Sequence, residues 1–148
     1  MRTEQGRWSR LTVVLIAVLI VAVAVPVRII GGDGEAWRSA INSDGEGYVA
    51  YLNGLVIHGD LRRADAAGQH FTPAGDHHVI QYYVGTALLQ APFYLIAHVA
   101  YSASGAKQII GQELPYQLAI MFAAVFYLSL GLQFTRLTLL QLGLTDRI

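Results

Sequence analysis

Two stretches of this chain lack the alternation of apolar and polar positions that marks a surface helix or a half-buried strand. Residues 11–30, LTVVLIAVLIVAVAVPVRII, carry no charge before Arg28. Their length matches the ~20 residues that a helix needs to cross about 30 Å of hydrocarbon. Residues 116–134, YQLAIMFAAVFYLSLGLQF, form a second such run, with Pro115 at a first-turn position before it and Arg136 after it. Both are predicted to be transmembrane helices. Ala22-Val23-Ala24 also offers a signal-peptidase-like arrangement, but the first run outlasts the roughly 7 to 15 apolar residues usual in a signal peptide, so a retained helix is expected. Pro26 near its outer end is tolerated there, where backbone groups are already unpaired.

A third stretch, residues 82–101 (YYVGTALLQAPFYLIAHVAY), is apolar but interrupted by Gly85, Gln90, Pro92 and His98. Pro92 removes a donor near the middle, so the pattern predicts helical structure broken at the proline and lying at the membrane surface. Charge supports that choice. Arg2, Arg7 and Arg10 precede the first run and hold the N-terminus in the cytoplasm by the positive-inside rule. With two crossings, Arg2, Arg7, Arg10, Arg136 and Arg147 lie inside and Arg28, Arg38, Arg62, Arg63 and Lys107 outside. A third crossing would leave only Arg2, Arg7, Arg10 and Lys107 inside, against the rule. The expected architecture is therefore an all-α, multi-pass protein of the inner or plasma membrane. Its expected order is a cytoplasmic N-terminus (1–10), a span (11–30), an external loop (31–115) with surface helices near 44–58 and 82–101, a second span (116–136) and a cytoplasmic tail (137–148).

Composition agrees: 54% of residues are hydrophobic and 14% charged, against about 25% charged in ordinary soluble domains. Ten basic residues balance ten acidic ones, which gives no electrostatic footprint for nucleic acid. The absence of cysteine excludes disulfides and thiolate ligation.

Candidate chemistry gathers in INSDGEGYVAYLNGLVIHGDL, residues 41–61. Ser43-Asp44-Gly45-Glu46 fits the S-x-x-E capping box, in which the serine hydroxyl and the glutamate satisfy first-turn N–H groups reciprocally. Tyr48, Tyr51, Leu52 and Leu55 then recur at helical spacing, and Gly59 is placed to end the helix. On this reading alone, Asp44 and Glu46 complement the helix dipole, worth roughly 0.3 to 1 kcal/mol each. His77-His78, with Asp76 adjacent and His58 and His70 upstream, follows no helical zinc spacing. Asp33-Gly34-Glu35 and Asp44-Gly45-Glu46 likewise lack the ligand series of a calcium loop. No metal site is predicted.

The order of parts resembles the N-terminal end of the glycosyltransferase C superfamily, especially the branch of lipid A aminoarabinose transferases and protein O-mannosyltransferases. The matching pieces are the first apolar run, Asp44-Gly45-Glu46-Gly47-Tyr48, the segment 82–101 with Ala91-Pro92-Phe93-Tyr94, and residues 114–136. Three features depart from that branch: Gly45 separates the acids, the second surface segment lacks the paired prolines common there, and Gln81 stands where a preceding lysine is common. The resemblance implies transfer of a sugar from a polyprenyl-phosphate carrier to an acceptor hydroxyl on the external face. It implies Asp44 as general base, with Glu46 orienting the acceptor or capping the helix. Arg28, Arg62 and Arg63 are the candidate contacts to the leaving phosphate, and Tyr48 is a candidate substrate contact. No cofactor is implied, and a divalent cation is left open. Members of the superfamily carry many more membrane helices, so the expected partners are lipid, the lipid-linked sugar, and further helices or a partner subunit. The rival reading is a small noncatalytic membrane protein that assembles with a larger partner.

Overall fold

A computed structural model of the chain describes residues 11–23, 26, 40–61, 71–75 and 77–144, and these are mostly helical. Helix α1 covers Leu11–Val23, within the first predicted span. Helix α2 covers Asp44–Leu52 and runs directly into a π-helical turn, Asn53–Ile57. Strands β1 (Phe71–Ala74) and β2 (His77–Ile80) follow, then helix α3 (Gly85–Ala103) and helix α4 (Leu114–Gln141).

Helix α4 is the one element among the described residues long and apolar enough to cross a membrane. Its 28 residues, at ~1.5 Å each, reach beyond a 30 Å hydrocarbon core. Only 17% of its most apolar stretch is buried within the chain, whereas the core helix of a soluble protein is mostly covered by its own fold. Phe122, Phe126, Leu128, Phe134 and Leu137 are all exposed. Pro115 sits in the first turn, as expected from its fixed φ and missing donor. The helix continues through Arg136, seven residues past the predicted apolar run, because a single arginine can extend its charge away from an apolar surface without ending the backbone ladder.

Three predictions need correction. Pro92 does not divide the second surface segment: α3 is one continuous helix with the proline inside it. Proline takes away the donor for the Leu88 carbonyl and crowds the adjoining turn. On that turn the Leu89 carbonyl accepts a hydrogen bond from the Tyr127 hydroxyl of α4 (2.9 Å), so the neighbouring helix supplies a donor where the ladder is weakened. Secondly, the all-α expectation missed a two-stranded antiparallel hairpin, which pairs Phe71 with Ile80 and Ala74 with His77. The chain leaves β1 at Gly75, whose φ of 69° is a left-handed value that hairpin turns favour.

The third correction concerns the start of α2. Ser43 makes no side-chain cap bond, and its φ of 52° lies in the left-handed region. Its N–H is taken by the Asn42 side chain (2.7 Å), and the backbone N–H groups of Gly45 and Glu46 close turns onto the carbonyls of Asn42 and Ser43 (3.0 and 2.9 Å). With these donors satisfied by the Asn42 side chain and by main chain, the reciprocal serine–glutamate box does not form. Nor does the predicted apolar stripe turn inward as a unit. Leu52 is buried and Leu55 is exposed, because the π-helical turn carries an extra residue per turn and brings Asn53 and Gly54 inward instead.

The core lies where α2, α3 and the first turns of α4 meet. Tyr94 and Tyr116 are fully buried with ring centroids 4.8 Å apart, surrounded by Ile41, Val49, Leu52, Ala97 and Ile120. The α3–α4 contact continues outward through Phe93, Phe126 and Tyr127: the Tyr127 ring packs edge to face with both phenylalanines, which are tilted against each other with centroids 5.4 Å apart.

Candidate functional site

Asp44 opens α2 with its side chain exposed. The residue that meets it is distant in sequence: the Tyr82 hydroxyl, just before α3, donates to Asp44 Oδ1 at 2.8 Å. The Ser43 hydroxyl addresses the same oxygen at 3.5 Å, a marginal contact. Among the described residues, hydrogen bonds to this carboxylate reach Oδ1, which leaves Oδ2 open to a third group. The Asp44 bond pushes the Tyr82 phenol pKa above its ordinary value, with desolvation adding to it, because ionising the phenol would lose the donated proton and set two negative charges together. Tyr82 therefore stays a donor across the physiological range.

Tyr82 is itself held on several sides. Its carbonyl accepts from the Tyr51 hydroxyl (2.6 Å) on the second turn of α2. Its ring meets Tyr48 edge to face, with centroids 5.2 Å apart. It also lies directly over Gly47, where an added Cβ would stand 3.2 Å from the Tyr82 Cγ and closer still to the ring edge. Gly47 is thus a close-approach glycine: the ring occupies the space that a side chain would fill.

Beneath this patch, a polar network ties α2 to the α3–α4 connection. The Tyr94 hydroxyl donates to Asn53 Oδ1, and Asn53 Nδ2 donates to the Ile110 carbonyl (3.2 Å). Gly111 passes against both side chains with φ 76°. Glu113 faces backwards, its carboxylate accepting the backbone N–H groups of Ile110, Gly111 and Gln112 at 2.8 to 3.1 Å. Gln117 bridges the other side: Oε1 accepts from the Ile41 N–H (2.6 Å) and Nε2 donates to the Gln112 carbonyl (3.2 Å). His98 and the Tyr116 hydroxyl are 2.8 Å apart. Burial raises the pKa of the Tyr94 phenol, so it too remains a donor. These groups serve structure, since their polar atoms are engaged with one another and with backbone.

The sequence-predicted site residues are placed unevenly. Asp44 and Tyr48 come together through Tyr82, at the same patch. Glu46 is half-buried two residues on and makes no cap bond. Arg28, Arg62 and Arg63 lie outside the described residues, as do Asp33, Glu35, His70 and Asp76. Among the described residues, no group of three or more His, Cys, Asp or Glu is arranged to hold a metal ion. Sequence reasoning missed Tyr82, which is separated from Asp44 by 38 positions. The local hint was an aromatic residue placed between Gln81 and an apolar helix.

A separate apolar groove of about 420 Å³ runs between α3 and α4, lined by Phe93, Ile96, Ala100, Pro115, Leu118 and Phe122 among others. It offers no charged group and can only accommodate apolar chemistry. Comparison with protein-family models, curated proteins and solved structures gives no match to this chain.

Proposed function

We propose that this chain is the N-terminal portion of a membrane glycosyltransferase that moves a sugar from a polyprenyl-phosphate carrier to an acceptor hydroxyl. The observation that carries the reading is Asp44: a carboxylate within the acidic motif, exposed at the head of a surface helix, held at Oδ1 by Tyr82 and, among the described residues, open at Oδ2. In the transfer, the acceptor oxygen attacks the anomeric carbon as the bond from that carbon to the phosphate oxygen breaks. The acceptor proton passes to Asp44, and the phosphate departs with the electron pair and needs no protonation. An alcohol is far too weak an acid to ionise first, so a carboxylate within about 2.6 to 3.2 Å must receive the proton as attack proceeds. In this reading Arg28, Arg62 and Arg63 neutralise the departing phosphate, Tyr48 lines the acceptor side, and Glu46 plays a lesser, orienting part. The first span and α4 hold the patch at the external face.

The noncatalytic alternative draws on a different observation. Leu88, Leu89, Leu95, Ile96 and Val99 of α3 are exposed, forming an apolar surface suited to further helices as well as to lipid. Sugar transfer separates the two readings. Membranes containing this chain and its companion helices are supplied with a radiolabelled polyprenyl-phosphate sugar, and label is followed into water-soluble or lipid acceptors. Transfer that disappears when the chain is deleted supports the enzyme; unchanged transfer leaves only the assembly role.

A further inference from the structure

We propose that Tyr82 is a positioning residue for the reaction, holding the Asp44 carboxylate by Oδ1 so that Oδ2 is kept for the acceptor proton. The proposal rests on the reading of Asp44 as general base. An exposed aspartate on a first turn ordinarily exchanges between staggered rotamers, and each excursion takes the base out of the narrow distance range in which it can accept a proton. Here the 2.8 Å bond from Tyr82 opposes that exchange. The restraint is effective because Tyr82 cannot easily follow the carboxylate. Its backbone is tied to Tyr51, its ring lies against Gly47, and Tyr48 packs edge-on against it. Glycine at 47 becomes functionally intelligible, because it admits the ring that carries the restraining hydroxyl.

The test compares Tyr82→Phe, Asp44→Ala and the double variant in the membrane assembly that contains the full chain. Removing the hydroxyl keeps the ring packing and should lower kcat by about 10- to 100-fold with KM within about twofold, since small misplacements of a reacting group cost rates of this order. In the Asp44→Ala background, Tyr82→Phe should cost nothing further, because the carboxylate through which it acts is gone. Multiplying losses in the double variant, or wild-type kcat for Tyr82→Phe, would overturn the positioning role while leaving the base assignment standing. Wild-type turnover by Asp44→Ala would overturn the base assignment and this role with it. A second measurement needs no turnover: NMR titration of the full chain in micelles with 13Cζ-labelled tyrosine, the Tyr82 signal being identified by its loss in Tyr82→Phe. The Tyr82 midpoint, raised in the native chain, should fall in Asp44→Ala. An unchanged midpoint would show that the two side chains do not meet.

Discussion

Replacing Gly111 by alanine perturbs the junction that fixes the loop before α4, and the same substitution at Gly105 provides a built-in control. Both glycines have left-handed φ, 76° and 81°, so each alanine bears a conformational cost of about 1 to 2 kcal/mol. Their surroundings differ. A Cβ at residue 105 would meet nothing within 4 Å, whereas at residue 111 it would stand 2.8 Å from Asn53 Cγ and overlap both Asn53 Oδ1 and the Tyr94 hydroxyl. Asn53 and Tyr94 are almost wholly buried and cannot move without giving up the Tyr94–Asn53 and Asn53–Ile110 hydrogen bonds. Two such bonds are worth about 0.5 to 1.5 kcal/mol each, so Gly111→Ala should lose roughly 1 to 3 kcal/mol more than Gly105→Ala. Denaturant titration of the two variants in one micelle system, followed by near-ultraviolet circular dichroism of the tyrosine cluster, measures the difference. Equal losses within about 0.5 kcal/mol would refute the packing argument. They would mean that the Asn53–Tyr94 contact does not constrain the loop.

Other outcomes follow from separate parts of the fold. Because the chain contains no cysteine, single introduced thiols report topology cleanly: Gln112→Cys should label from the external side with an impermeant reagent, and Leu142→Cys only after permeabilisation. Labelling of both from one side would contradict a spanning α4. Tyr127→Phe should destabilise the chain by about 1 kcal/mol, because it withdraws the donor from the Leu89 carbonyl beside Pro92. In a Pro92→Ala background the loss should persist, since the restored N–H serves the Leu88 carbonyl and not that of Leu89, and thermal unfolding of the wild type, the two single variants and the double variant reads the additivity.

The parts of this fold that were legible in the sequence are those governed by local pattern. Pro115 before a long uncharged run marked the start of α4, and the span from Asp44 to Gly59 was recognisable as one helical unit even though it changes to π geometry at Asn53. What was not legible depends on distant partners or on competition between nearby groups. Ser43 and Glu46 satisfy a capping formula, but Asn42 and the main chain take the donors that the formula assigns to them. Pro92 reads as a breaker until Tyr127, 38 residues from Leu89, is placed beside the weakened turn. The hairpin was hidden because its first strand, Phe71–Ala74, is only four residues long and contains Pro73, although Gly75 between two short runs was a usable signal. For the site, Asp44 could be chosen from its motif, yet the feature that distinguishes it from Glu46 is its bond to Tyr82, which no spacing rule anticipates.

That distinction sets the most direct test of the central claim, that Asp44 is the proton acceptor in sugar transfer. Asp44→Asn keeps an oxygen able to accept the Tyr82 hydrogen bond while removing the charge and most of the basicity, so the patch should retain its geometry. Glu46→Gln alters a carboxylate that makes no cap bond and keeps an oxygen able to orient the acceptor, so it should cost little. The measurement is turnover from a polyprenyl-phosphate sugar by membranes holding each variant at matched abundance. Asp44→Asn should lose about 10² to 10⁴ in rate, the usual range for a general base, and Glu46→Gln at most a few-fold. Wild-type turnover by Asp44→Asn, with or without loss in Glu46→Gln, would rule out Asp44 as the proton acceptor.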